Sequence, residues 1–395
     1  MQQIITSSGM RSINQSAILE IIRSESPTSR THISQKLGIS LPTVMRIVDE
    51  LIEVGFVRPT SETEWSGGRR RPLLEFNAQG NAVVGIDLGG GTMYGAIADI
   101  GGNLLAEMEI PFVEIPHDRY LDAIIGLIDT MLSHKALAGR KVLGIGVGAP
   151  GPTLHREGVV MQSASLNWKN FPLKQKLSEK YDLPIIVEND INLAALGELW
   201  FGAGKGLQNF YVLASGGGIG SAIVINGAIY RGAHEYAGEI ANMLPGREFL
   251  GTQRGWLGSL ESVVSGIGLS EKAREVLKGK RSDAELKAIT IKEVFRAVRR
   301  EEDWVMPIFH DAVDYLSLAV ASVISIVDPE VIILAGGIAQ FADLLIDPIK
   351  ERLGNLSPTG VSLVQSPLGL RGCVMGAIAK IMYHTAGYYV VHKVE

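Results

Sequence analysis

Residues 29–55, SRTHISQKLGISLPTVMRIVDELIEVG, read as two short helices joined by a tight turn, and that reading sets how the chain begins. Ser29 is placed to cap a helix that turns Ile33 and Leu37 inward, and Gly38 supplies the backbone freedom for the turn. Ser40 is placed to cap a second helix, Pro42 suits its first turn, and Gly55 ends it. This is the outline of a helix-turn-helix, in which the N-terminal part of the last helix enters the major groove of a duplex.

Upstream, Ile18, Leu19, Ile21 and Ile22 recur at helical spacing after Asn14, a candidate N-cap, and the helix they form ends near Ser26 and Pro27. Downstream, FVRPT, the polar tip SETEWSGG and RRRPLLEF make a hairpin over residues 56–76, the outline of a wing. Thr43 and Arg46 are the candidates for base edges, with Arg30 and Ser40 nearer phosphate. Arg69, Arg70 and Arg71, beside Gly67 and Gly68, are candidates for phosphate or minor-groove contact. The competing reading is a helical bundle with no DNA role.

Composition bounds the rest. At 395 residues, of which 46% are hydrophobic, the chain is long enough for two or three cored units at roughly 150 residues each. The only cysteine, Cys373, lies in the apolar stretch GCVMGAIAKIM, which excludes an internal disulfide and predicts a buried, inert thiol. No apolar run is expected to span the roughly 20 residues of a bilayer, and MQQIITSSGMRS lacks the regions of a signal peptide, so the expected location is cytoplasmic. The net charge is -5; residues 1–80 hold nine Arg and Lys against eight Asp and Glu, a net of +1, which leaves -6 for the remainder. A duplex-facing surface must therefore be local.

From residue 82 the texture changes to buried-strand runs broken by glycine: VVGIDLGGGTMYGAIADIGG, VLGIGVGAPGP, IIVENDINLAALGE, FYVLASGGGIGSAIVINGAIYRG and VIILAGGIAQ. Strands alternating with helices imply an α/β architecture. The first run resembles the phosphate loop of the sugar kinase and actin superfamily, with Asp87, Gly89, Gly90, Gly91 and Thr92 at the loop and Gly216, Gly217, Gly336 and Gly337 in the later glycine turns. Glycine-rich hairpins also occur with no ligand.

IGSAIVINGAIYRGAHEYAGEI closely resembles the signature of the ROK family of repressors and sugar kinases, and END followed by INLAALGE resembles its catalytic-loop segment. SR before the second helix and GGRRRP in the wing resemble the family's repressors. The resemblance implies a winged helix-turn-helix over residues 1–80, followed by a two-lobed, ribonuclease H-like domain. Its first lobe is expected over 81–193 plus 376–395, and a second, oligomerising lobe over 194–375. It implies that Asp190 stands where the kinases carry a general base and that Asn189 binds sugar. Glu239, Glu261 and, from a neighbouring loop, Asn167 are further sugar candidates. Loop capping is the structural alternative for Asn189 and Glu239.

Departures from the family pattern carry as much information. Asn242 stands where the family carries His, and Thr252, Arg254 and Ser259 stand where it carries zinc-binding cysteines, so no metal is expected. Phe249, Trp256 and Leu257 are expected to pack in its place, and Asn242 remains a sugar candidate. DLGGGT has glycine where the kinases carry threonine, with Thr92 one position on, and SGGGIG likewise lacks its threonine. Weakened phosphate loops imply a vestigial Asp190 and no bound cofactor. The function implied is a sugar-responsive repressor that binds an inverted-repeat operator as a homodimer or homotetramer. The alternative is an ATP-dependent sugar kinase with a DNA-binding extension, and a third reading has a protein partner as regulator.

Overall fold

A computed structural model describes residues 7–66, 69–89, 91–112, 115–251, 257–354 and 362–386. The chain opens with helices α1 (Ser7–Ser24), α2 (Arg30–Leu37) and α3 (Leu41–Glu53), then strands β1 (Val57–Ser66) and β2 (Arg69–Phe76). Ser29 Oγ accepts the His32 N–H at 3.1 Å to cap α2, and Gly38 ends it at a φ of 64°. Val44, Ile47, Val48 and Leu51 repeat at helical spacing on α3 and are fully buried, which turns Pro42, Arg46 and Asp49 outward.

Two local expectations are corrected. Asn14 lies inside α1, which begins at Ser7, so it does not cap that helix. SETEWS belongs to β1 and not to a turn; β1 pairs antiparallel with β2 up to Ser66 opposite Arg69, with an irregularity between Pro59 and Thr63. Consecutive residues from Ser61 to Glu64 are exposed, which hides the alternation by which a strand is recognised. Thr28 exchanges two backbone hydrogen bonds with Leu74, at 2.9 and 2.7 Å, which ties the α1–α2 turn to the wing.

The reader passes into the rest of the chain through a short 3₁₀ turn, Ala78–Gly80. Gly55, at a φ of 86°, offers its carbonyl to the side-chain amides of both Asn77 and Asn81, at 2.9 and 2.7 Å. Asn81, 1% exposed, is already the first residue of the next strand. The joint is thus cross-braced.

The first lobe is built on β3 (Asn81–Asp87), β4 (Thr92–Asp99), β5 (Leu104–Pro111), β6 (Lys141–Ala149) and β10 (Ile185–Asn189), in the order β10-β6-β3-β4-β5. Between them come α4 (Tyr120–Leu132), a small sheet of β7 (Thr153–Leu154), β8 (Val159–Ser163) and β9 (Trp168–Phe171), and α5 (Leu173–Ser178). Helix α6 (Asp190–Phe201) follows β10 directly. The second lobe is built on β11 (Phe210–Ser215), β12 (Ile219–Ile225), β13 (Ala228–Tyr230), β14 (Val331–Ala335) and β15 (Ser362–Gln365), in the order β13-β12-β11-β14-β15. It also holds α7 (Glu261–Val264), α8 (Gly266–Leu277), α9 (Asp283–Lys287), α10 (Ile291–Arg299), α11 (Met306–Val327) and α12 (Ala342–Leu353), before α13 (Gly372–Ala386) closes the described chain.

The two large sheets share one topology. Each opens with three antiparallel strands and adds two parallel ones beyond the first. Covered on both faces, their central strands are near-continuous apolar runs. In each sheet the first hairpin turn is glycine-rich in sequence, Gly89 to Gly91 and Gly216 to Gly218. Helix α13 returns to pack on α6, β3 and β6.

One expectation about apolar runs fails. Helix α11 has 22 residues and is long and apolar enough to cross a membrane by composition. It carries His310, Asp311 and Asp314, and buries Ile308, Val313, Leu316 and Val320 in the second lobe, which is the pattern of a core helix.

Candidate functional site

The first candidate surface is the outer face of α3 and the wing. Arg46 and Ser40 are exposed and Thr43 is half-buried at the N-terminal end of α3. Ser40 Oγ sits 2.8 Å from Thr43 Oγ1 rather than on a backbone N–H, so the cap expected of it is one of position only. Arg46 is held by Glu50 at 3.2 Å and Arg30 by Asp49 at 3.0 Å, exposed pairs that are weak and exchange readily for phosphate. Arg70 and Arg71 are exposed on β2, and Arg71 leans toward α3, 3.5 Å from Met45 Sδ. Recognition helix and wing therefore present cations on one side. Gly67, Gly68 and the Arg69 side chain lie outside the described residues.

The second candidate site lies where β10 runs out between the lobes. Asn189 caps α6: its Oδ1 accepts the N–H groups of Ile191 and Asn192 at 3.0 and 2.9 Å, and its Nδ2 donates to Gly151 O at 3.2 Å. One amide hydrogen remains for a ligand. The next residue, Asp190, opens α6, and its Oδ1 accepts the Ile191 N–H at 2.9 Å. Asp87, at the end of β3, accepts the Gly89 N–H at 2.8 Å. Both carboxylates converge on Gly89, where a Cβ would lie 2.7 Å from Asp190 Oδ2 and 3.1 Å from Asp87 Oδ1. Only glycine fits that approach.

Two acids so placed resist ionisation. Burial pushes the Asp87 carboxyl up to about 6, against the pull of the Gly89 N–H and the Cys373 thiol. Burial, then the charge of Asp87, lifts Asp190 well above the usual carboxylate range, and Glu239 adds to it. Glu239 is itself pushed up to about 7, by burial and then by Glu261. Glu261 is tied to backbone, accepting from Ile219 N at 3.3 Å and Gly258 N at 3.1 Å. Among the described residues, no hydrogen bond reaches the Glu239 carboxylate and no Lys or Arg pairs with any of the four acids. The result is a row of acceptors without resident cations, suited to hydroxyl donors.

The side chains of the two other described sugar candidates do not hydrogen-bond to the acids of this row. Asn242 is exposed and donates to the Tyr236 hydroxyl at 2.9 Å. Asn167 is exposed, at a φ of 54°, in the turn before β9. Thr252, Arg254 and Trp256 lie outside the described residues, as does Gly90. Phe249 is 2% exposed and packs edge-on against Tyr315, while Leu257 is half-buried.

The glycine turns of the second lobe are engaged by protein. Gly216 and Gly217 carbonyls accept from Gly266 and Ile267 at the start of α8, at 3.0 and 3.1 Å. Gly336 and Gly337 press on Ser215, where added Cβ atoms would lie 3.1 and 3.2 Å from its carbonyl. Behind them is a cavity of about 40 Å³, walled by apolar side chains that include the stacked pair Phe295 and Phe341, with Ser215 as its one hydroxyl and no basic residue. Phosphate at these turns would meet backbone N–H groups and the Ser215 hydroxyl, with no cation among the lining residues.

Sequence reasoning overlooked two residues, Glu188 and Arg231, and the surroundings of a third, Cys373. Cys373, at the start of α13, is buried beside the two carboxylates, and its thiol is pushed up by burial and then by Asp87 and Asp190. Glu188 and Arg231 meet across the lobes at 2.5 Å. Both lie inside quoted motifs, as END and YRG, and a charge in an apolar run was the available signal.

A winged helix-turn-helix braced to two lobes of one sugar-kinase-like topology, with an acidic cleft between them, defines a class of protein. Residues 83–379 match the family model described as ROK family and residues 11–58 one described as winged helix-turn-helix DNA-binding. The chain belongs to the ROK family. It is 27% identical over 384 residues to the xylose repressor of Caldicellulosiruptor bescii, covering 94% of this chain and 96% of that protein. It is 34% identical over 276 residues to a glucokinase of Halalkalibacterium halodurans, covering 68% of this chain and 84% of that one. The crystal structure of a ROK family transcriptional regulator, a homologue of the E. coli Mlc protein, shares the fold with a TM-score of 0.81 at 23% identity, over 96% of this chain and 97% of that one.

Proposed function

We propose that this chain is a sugar-responsive repressor of carbohydrate genes, which binds an inverted-repeat operator through its winged helix and is released or retuned by a neutral sugar in the interlobe cleft. The observation that carries this reading is that similarity to the xylose repressor runs through reader and sensor alike, 94% of the chain. A glucokinase-like match covers 68% and leaves the reader unexplained.

The mechanism follows from the geometry. Asp190, Glu239, Glu261 and the remaining amide hydrogen of Asn189 read sugar hydroxyls, with acids from one lobe and acids from the other. A ligand that bonds to both favours lobe closure by its differential affinity for the closed state. Because the Gly55 carbonyl braces Asn77 and Asn81, the reader moves with the first lobe rather than about a loose linker. Rotation of the lobes in a two-fold dimer or tetramer then changes the spacing of two recognition helices, and operator half-sites one or more turns apart register that change. Such a regulator acts in the cytoplasm, with DNA and sugar as partners.

We read the cleft as non-catalytic. Burial and the charge of Asp87 raise the Asp190 carboxyl well above the usual carboxylate range, which disfavours the ionised form that a general base needs. The kinase alternative rests on the retention of Asp190 beside Asp87. Purified protein with MgATP and a panel of aldoses separates the two: turnover near 1 per second or faster, about the slow end for enzymes, would establish a kinase. Background hydrolysis together with sugar-dependent operator binding supports the repressor.

A further inference from the structure

An ion pair, Arg231–Glu188, and a carboxylate–histidine contact, Glu235–His155, cross from lobe to lobe beside the acidic row without belonging to it. Glu188, the last residue but one of β10, has a side chain with no solvent exposure, and its Oε2 lies 2.5 Å from a guanidinium nitrogen of Arg231, which follows β13 in the other lobe. The other carboxylate oxygen of Glu188 accepts the Asn189 N–H at 3.1 Å and the Asn192 amide at 3.3 Å. Glu188 therefore grips the residues that shape the first-lobe side of the cleft.

Arg231 does the same on the second-lobe side. Its carbonyl accepts the Ala237 N–H at 3.1 Å, which closes residues 231–237 into a compact loop, and Glu239 follows two residues later. Arg231 Nη1 donates to Ile229 O at 3.3 Å, anchoring the side chain to β13. Its Nε is 3.4 Å from Glu235 Oε2, too poorly aimed for a hydrogen bond, so that this buried donor stays unsatisfied. Glu235 in turn lies 2.8 Å from His155 Nδ1, back in the first lobe, and holds a φ of 57° that a side chain rarely adopts. A strained residue and an orphaned donor are tolerated only where surrounding contacts impose them.

We propose that the Arg231–Glu188 pair, supported by Glu235–His155, is the positioning element that sets the two halves of the cleft against each other and carries sugar occupancy from Glu239 into the first lobe. This rests on the sugar-responsive reading above. The pair touches neither DNA nor the four acids of the row. Its contribution is geometric: with it, movement of the Glu239 loop must move Glu188, and through Glu188 the start of α6. Lys380, 3.8 Å from Glu188 on α13, extends the same tie to the helix that packs on β3.

The test uses the full-length protein, its operator, and D-xylose and D-glucose as probes. Removing one member of a buried pair leaves a bare charge and endangers the fold, so the informative variant is the double neutral one, Glu188→Gln with Arg231→Met, which keeps the acceptor for Asn189. Sugar affinity and operator affinity are measured separately, the latter with and without sugar. Allosteric couplings of this kind lie at about 5- to 150-fold. In the double variant the sugar's effect on operator affinity should collapse to within about twofold of none, while operator affinity without sugar stays at the wild-type value. Arg231→Lys, which keeps the charge, should restore part of the response; loss of packing alone would not be rescued so. Wild-type coupling in the double variant overturns the proposal. If that variant fails to fold, Glu235→Gln, which cuts only the outer pair, must weaken coupling at least about threefold or the proposal fails. A wild-type protein whose operator affinity ignores both sugars sinks the repressor reading itself, a separate outcome.

Discussion

Replacing Glu239 by glutamine removes one charge from the acidic row and keeps its shape. Burial and the neighbouring Glu261 push this carboxyl from 4.5 to about 7. At about 1.4 kcal/mol per tenfold, ionising it in the folded chain costs roughly 3 kcal/mol, which solvent screening at the half-open cleft reduces to about 2 kcal/mol. In the unfolded chain the same group titrates at its ordinary value. Below about pH 4 both states are protonated and no penalty exists; as pH rises, the unfolded chain loses its proton first, and wild-type stability falls until about pH 7. Glutamine carries no such penalty. The variant should therefore melt above the wild type near pH 8, by about 4 °C at roughly 2 °C per kcal/mol, and the gap should largely close near pH 5. Scanning calorimetry at both pH values reads the difference. A variant that melts at or below the wild type near pH 8, or a gap that does not depend on pH, refutes the account of the row as mutually repelling acids. The same variant should bind sugar more weakly, the usual trade of stability against function at a site held ready for a ligand.

Three further expectations follow from the geometry. Arg46→Ala removes an exposed cation from α3 without touching its buried face, so operator affinity measured by fluorescence anisotropy should fall by about 1–3 kcal/mol while the sugar-induced thermal shift is unchanged. Asp190→Asn should abolish the sugar response and leave operator binding intact; loss of both in a folded protein would contradict separable sites. Ser29→Ala deletes the 3.1 Å cap of α2 and should destabilise the reader by about 1 kcal/mol in denaturant melts, with no change if the cap is incidental.

The sequence shows the reader well because its signals are local. The cap at Ser29, the left-handed turn at Gly38 and the Val44, Ile47, Val48, Leu51 stripe each need only a few neighbouring residues, and each appears in the structure. The errors there have the same scale: Asn14 looked like a cap because nothing local says that α1 extends back to Ser7, and the polar composition of SETEWS concealed a strand in which consecutive residues from Ser61 to Glu64 are exposed. In the lobes, the glycine turns and the END segment are legible as motifs, but what they meet is not. That Asp87 and Asp190 converge on Gly89 depends on the pairing of β3 with distant strands, and that Cys373 lies beside them depends on α13 returning to the first sheet across most of the chain. Arg231 and Glu188 belong to the same category, since a buried ion pair is set by the docking of two lobes and leaves no period in either segment.

The most direct test is a titration of labelled operator with the full-length protein, repeated in saturating D-xylose or D-glucose. The account predicts that at least one neutral aldose shifts the dissociation constant by about fivefold or more, and that Asp190→Asn erases the shift. Identical curves with every neutral sugar, from protein whose melting temperature those sugars raise, would show that the cleft binds its ligand without informing the reader.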